Sequence, residues 1–232
     1  MLTACARPGS GTDRQIGTTS GLARLDAAIS GFDRARAEVL GGTGALVAAA
    51  LALDAADAAC ATGERSPART ARSQARVAVP RARTALAALS ARLRAYGRSA
   101  GELAAAATAA TSLDGTQRAA VQEVVTAAKA EAAAADAFRL AAKTGWPAYT
   151  ALDEAQATWL TRASSGWYRS TREAADAYTV FVQDQQTALT QARTLLRRVD
   201  EARRPVSSRV QTALRAADAA LAPLRAPELP GG

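Results

Sequence analysis

The sequence predicts an all-α protein, an elongated antiparallel four-helix bundle with kinked helices. Three observations carry that prediction. Roughly a quarter of the residues are alanine and only 4% are aromatic, and strong strand formers rarely cluster. Apolar residues recur in steps of four and three over long stretches, the spacing that lines one face of a helix in a bundle or coiled coil. Compact turn signals divide the chain into legs of similar length. Legs of about 45 residues joined by short turns run antiparallel to their neighbours and, at 1.5 Å per residue, reach roughly 65 Å. A three-helix bundle with broken legs is the alternative arrangement. The 232 residues suffice for a real core.

The first leg starts near Thr19 and carries Leu22, Leu25, Ile29, Phe32 and Val39, with Arg36 occupying a stripe position. Its aliphatic stem is expected along the seam with the charge reaching water. Gly41 to Gly44 are expected to interrupt or bend the leg before Leu46, Ala50 and Leu53 resume the stripe. Gly63 ends it. Ser66-Pro67 reads as the next helix start, serine capping and proline at the first helical position. From Ala75 through Val79, Ala82, Leu86, Leu89, Leu93, Tyr96, Ala100, Leu103 and Ala107 to Ala110 the rhythm never slips. Pro80, inside that leg, is expected to kink it or move its start downstream.

Leu113-Asp114-Gly115 makes a turn, with Asp114 or Thr116 as cap for a third leg striped by Val121, Val125, Ala128, Ala132, Ala135 and Phe138. Gly145-Trp146-Pro147 is expected to bend that leg, because the residue before proline is pushed out of helical geometry. Ser164-Ser165-Gly166 is the next turn. The last leg is read as one stripe from Trp167 through Thr171, Ala174, Tyr178, Phe181, Gln185, Ala188, Ala192 and Leu195 to Val199, broken at Pro205. A final helical piece holds Val206, Val210, Ala213, Ala217 and Leu221. One helical-bundle domain thus covers 19–226, with a loose tail at 227–232.

At the amino terminus, Leu2, Thr3, Ala4 and Cys5 are one aliphatic residue, two small residues and a cysteine. The tetrapeptide resembles the lipobox of bacterial lipoproteins, in which the cysteine is alkylated by diacylglycerol and becomes the mature amino terminus. The resemblance implies a lipid on Cys5 and a place at the cell envelope, on the outer face of the cytoplasmic membrane. A secretory signal also needs a basic region and an apolar run of about 7 to 15 residues before the cleavage site. Met1 alone precedes the motif, so the resemblance implies a start upstream of Met1. Residues 1–18, rich in turn formers early on, read as lipobox and flexible tether. The longest uncharged stretch, Val39 to Leu53, is shorter than the ~20 residues of a membrane span, so attachment is expected through the lipid rather than a transmembrane helix. In an exported chain Cys60 is available to pair with Cys5, but lipidation consumes Cys5 and leaves Cys60 a buried or free thiol.

The chain has no histidine, which removes the commonest general base and metal ligand, and two cysteines do not make a four-ligand zinc site. No nucleophile has a histidine partner, and the adjacent pairs Asp153-Glu154 and Asp200-Glu201 point to different helix faces. Neither catalysis, a metal nor a cofactor is expected.

Two surfaces remain. From Arg65 to Gly101 the chain holds nine arginines and no acid, within a net charge of +8. Arg65, Arg69, Arg72 and Arg76 lead this stretch and are candidates for binding phosphates of lipid headgroups, wall polymers or nucleic acid, although no nucleic-acid module accompanies them. The competing reading pairs these arginines with acids of neighbouring legs. Eight of the ten aromatics lie between Phe138 and Phe181, with Trp146, Trp159, Trp167 and Tyr168 near the third turn. They either line a pocket or interface or plug the end of an alanine-packed bundle. The expected function is therefore a lipid-anchored envelope protein displaying a helical bundle for interaction or ligand binding. The alternative is a soluble basic bundle with an anionic partner in the cytoplasm.

Overall fold

The computed structural model describes residues 11–225, with side chains described from residue 21 to 225. Leu2 to Cys5 and the tail at 227–232 lie outside the described residues. The protein is all-helical, with no strand among the described residues: α1 Gly11–Ala61, α2 Arg65–Ala109, α3 Gly115–Ser164, α4 Thr171–Gln183 and α5 Gln186–Arg225. The tether expected to reach Thr18 is already helical from Gly11. Arg14, Gln15 and Ile16 are adequate helix formers, so a helix seeded by the stripe from Leu22 onward propagates back through them.

The stripes do what their spacing predicts. Leu25, Ile29, Phe32, Val39, Leu46, Ala50 and Leu53 of α1 are buried, and so are Ala75, Val79, Ala82, Leu89, Tyr96, Ala100 and Leu103 of α2. Leu86, Leu93 and Ala107 are half-buried against the same core. Val121, Val125, Ala128, Ala135 and Phe138 supply the α3 share. Alanine buries little area, so the leucines, valines and aromatics supply most of the apolar gain, about 1.5 to 3 kcal/mol for each fully buried large side chain.

Helix breaks fall elsewhere than expected. Gly41 to Gly44 lie inside an uninterrupted α1. A Cβ at Gly42 would meet the Arg92 side chain at 3.1 Å and Leu89 at 3.3 Å, so this glycine admits α2 at close range. Pro80 and Pro147 are internal to α2 and α3, and Pro205 and Pro223 to α5. All four prolines are exposed, as are Arg76, Lys143, Glu201 and Ala219 four residues before them. The carbonyls deprived of a helical partner thus lie on the wetted side, where water replaces the missing N–H.

The last leg breaks instead at Asp184-Gln185, where the Gln185 amide turns back to the Val182 carbonyl at 3.0 Å. Beyond that joint the stripe is rephased, and Leu196 is buried while Leu195 is exposed. Trp167 is 67% exposed and lies in the turn, not at the head of the leg.

Caps set the remaining boundaries. Asp114 accepts from the Gln117 amide at 2.8 Å and the Gln117 side chain accepts from the Asp114 amide at 2.9 Å, a closed capping box. Ser170 caps α4 by accepting from the Glu173 amide at 3.1 Å. α2 begins at Arg65 behind Glu64 rather than at Ser66-Pro67. Gly63, at φ +74°, closes the α1–α2 turn against α4: a Cβ there would lie 1.9 Å from the Thr171 carbonyl oxygen. The first and third turns therefore meet at one end. At the other end Gly21 abuts Ala110, and the Gln117 side chain donates to the Ala220 carbonyl at 3.2 Å.

An 18-residue window within Gly21–Ala61 has mean hydropathy 1.7 and passes by length and composition as a membrane span. The reading of Val39 to Leu53 as too short passed over it, because the window tolerates a flanking charge. In the structure Leu46, Ala49 and Leu53 of this helix are packed in the core.

Candidate functional site

α2 carries a face of arginines beside its buried stripe. At about 100° per residue, Arg65, Arg69, Arg76, Arg83, Arg94 and Arg98 point to one side, spanning about 50 Å of helix. The neighbouring legs leave nearly all of this charge unpaired. Among the described residues, Arg72 alone of the nine arginines between Arg65 and Arg98 forms an ion pair. Arg72 is buried, its Nη1 donating to the Asp153 carboxylate and its Nη2 to the Asp153 carbonyl at 2.8 Å. It joins α2 to α3 and is not part of the exposed arginine face. Arg65, Arg69 and Arg76 stay exposed. Arg92, on the other flank, reaches only the Glu38 carbonyl at 3.4 Å.

The aromatics do not make one surface. Trp159 is wholly buried, donates from Nε1 to the Ala174 carbonyl at 2.8 Å, and meets Tyr178 edge-on at 5.5 Å. It plugs the bundle end. Trp167 points outward with the Arg162 guanidinium 5.2 Å from its ring centre. Tyr168 is half-buried. Trp146 is buried about five helical turns before the end of α3, beside Tyr149 at 6.0 Å, and its Nε1 has no hydrogen-bond partner.

Two polar clusters escaped the sequence reading. The first surrounds Arg36, whose charge turns inward rather than to water. Its Nε donates to Glu131 Oε2 at 2.8 Å and its Nη2 to Glu131 Oε1 at 3.1 Å, while Nη2 reaches the Ser207 carbonyl at 2.8 Å and Nη1 the Gln211 side chain at 2.9 Å. Tyr96 donates to Glu131 at 2.6 Å and the Ser207 hydroxyl also donates to it. Burial first, then this hydrogen bond and the carboxylate's charge, push the Tyr96 phenol well above its ordinary range. One network ties α1, α2, α3 and α5 at mid-length. Arg36 on an apolar stripe was the visible signal; Glu131, one residue off the α3 stripe, gave none.

The second cluster joins α1, α4 and α5. Arg193 donates to Asp54 and Asp57 at 2.7 Å each, and Tyr178 donates to Asp57 at 2.6 Å. Burial raises the Asp54 carboxyl despite the Arg193 contact. The buried Cys60 thiol nearby is pushed up to about 12, mainly by burial and then by Asp57, which keeps it unreactive. Between these clusters a groove of about 570 Å³ opens between α1 and α5, with Phe138 and Tyr149 of α3 as its floor and Leu46, Leu51 and Leu196 on its sides. Its charges are largely internally matched, since Arg193 is bound by two aspartates and Asp200 by Arg203 and Arg204. The arginine face, not this groove, carries unsatisfied charge.

Fold and surfaces define an all-helical protein with a cationic face on one helix. Comparison of the chain with protein-family models, with curated proteins and with solved structures finds no match.

Proposed function

We propose that this protein is a non-enzymatic binding module, an elongated bundle of four antiparallel legs that presents the arginine face of α2 to a phosphate-bearing anionic polymer. The observation that carries this reading is the absence of carboxylate partners, among the described residues, for eight of the nine arginines between Arg65 and Arg98. Such a row releases counterions from a polyanion along its length. Numbering along the contacts supports the antiparallel arrangement: Gly21 meets Ala110 and Gly42 meets Leu89, while Gln117 meets Ala220 and Gly145 meets Ala192.

In this proposal a lipid on Cys5 holds the protein at the outer face of the cytoplasmic membrane. Gly21 of α1 lies beside Ala110 at the end of α2, so Arg76 to Arg65 would stand about 50 to 65 Å further out, at 1.5 Å per residue. That geometry favours an envelope polymer over headgroups of the anchoring bilayer. Without the lipid the same face serves a soluble cytoplasmic protein. Mass spectrometry of the native amino terminus separates the two: an acylated Cys5 supports the anchored form, and an unmodified Met1 removes it.

Binding to long-chain polyphosphate tests the face itself. Arg65→Gln/Arg69→Gln/Arg76→Gln, with Arg72 retained for its structural pair, is expected to weaken binding at least about tenfold and reduce the slope of log affinity against log salt by about two to three. Unchanged binding contradicts the proposal.

A further inference from the structure

Between α2 and α3 lies a smaller recess of about 390 Å³ lined by Arg83, Leu86 and Ser90 from one helix and Arg139, Lys143 and Trp146 from the other. Each helix contributes positions at helical spacing, so four side chains from α2, Ala87 included, and three from α3 line the same cleft. Every polar group in the lining can donate: two guanidinium groups, an ammonium, a hydroxyl and an indole N–H. Arg139 is held by Asp136 at 2.7 Å. Arg83 and Lys143 have no ion pair among the described residues. Three cations less the Asp136 carboxylate leave a local charge of +2.

Trp146 supplies an independent sign of a missing partner. It is only 7% exposed, and its Nε1 is buried without an acceptor. The equivalent nitrogen of Trp159 has one at 2.8 Å. An unmet buried N–H is costly; enclosed as the side chain stands, it meets a ligand oxygen in the recess once the indole turns toward it.

We infer that this recess binds the phosphate group of a phosphate monoester, with Arg83 and Lys143 as charge partners, Ser90 and the Trp146 N–H as neutral donors, and Leu86 against the ester's apolar part. A monoester carries about −1.5 to −2 at neutral pH, which matches the charge of the recess. The site deepens the reading of α2 as an anion-binding face and rests on that reading through Arg83, while Lys143 and Trp146 lie on the other helix.

Calorimetric titration of the full chain with phenyl phosphate tests it. Saturable binding of one equivalent is expected, with phenol silent and benzoate weaker. Arg83→Gln and Lys143→Gln are each expected to weaken binding about tenfold or more, as loss of a charged hydrogen bond implies. Trp146→Phe keeps an aromatic ring at the position without the N–H and is expected to weaken it by a smaller factor. The Arg65→Gln/Arg69→Gln/Arg76→Gln variant is expected to keep phenyl phosphate binding even where polyphosphate binding is lost, so the two readings fail separately. Absence of saturation at millimolar phenyl phosphate overturns the site. Equal weakening by the triple variant and by Lys143→Gln reduces it to diffuse screening and overturns it too. Benzoate binding as tightly as phenyl phosphate overturns the dianion assignment.

Discussion

Replacing Arg36 by methionine keeps most of the aliphatic stem and deletes the charge that faces Glu131. Arg36 is 8% exposed and Glu131 1% exposed, so solvent does not take over the lost role. Glu131 would keep hydrogen bonds from Tyr96 and Ser207 but lose both guanidinium contacts. Removing one partner of a buried ion pair costs about 3 to 5 kcal/mol. For a protein of this size each kcal/mol lowers the melting temperature by about 2 to 4 °C, so Arg36→Met is expected to melt roughly 6 to 20 °C below wild type. Circular dichroism at the helical minimum, with urea titration alongside, measures it. Arg36→Met/Glu131→Leu is expected to be more stable than either single variant, because neither charge is then left alone. A single-variant loss below about 1 kcal/mol, the range of an exposed pair, would refute the buried network.

Other outcomes follow from equally local features. Gly63→Ala is expected to be far more damaging than Gly166→Ala: both glycines have positive φ, but a Cβ at Gly63 strikes the Thr171 carbonyl while nothing lies within 4 Å of one at Gly166. Comparative thermal melts check this, with Gly166→Ala costing about 1 kcal/mol for its backbone conformation. Burial alone would raise the Asp200 carboxyl, yet hydrogen bonds from Arg203 and Arg204 outweigh it and hold the group below its ordinary 3.8. A carboxyl more acidic when folded stabilises the fold above its unfolded pKa and loses that effect as pH falls through its folded value. Asp200→Asn should therefore lower the melting temperature at pH 7, with the difference from wild type shrinking as the pH falls below the ordinary carboxylate range. Trp167→Phe should shift tryptophan emission to the blue and remove most acrylamide quenching, since Trp146 and Trp159 are buried; retained quenching contradicts the assignment.

The packed faces of α1, α2 and α3 were legible because an alanine-rich helix records its core in the few large residues, and no break intervenes to change their phase. The α2 stripe from Ala75 to Ala110 runs without a slip on a helix that passes through Pro80. The same logic failed in the last leg. Counting across Asp184-Gln185 selected Leu195, whereas the joint restarts the helix and turns Leu196 inward. Prolines misled for a related reason: their position on the wetted side, where they do not end a helix, is a property of the assembled bundle.

Of the candidate binding residues, the exposed arginines were readable from charge alone. The withdrawal of Arg72 was not, because Asp153 lies 81 positions away. The aromatic cluster looked single in sequence and separated in space, since Trp159 is wholly buried and Trp167 is exposed. Arg36 read as a flaw because its partner, Glu131, is 95 residues distant.

The claim that α2 presents an unneutralised arginine face for an anionic polymer is tested most directly by titrating the protein with polyphosphate across a salt series, beside Arg65→Gln/Arg69→Gln/Arg76→Gln. The account predicts steep salt dependence for the wild type and a shallower slope with at least about tenfold weaker binding for the variant. Identical affinities and slopes for the two proteins would contradict it.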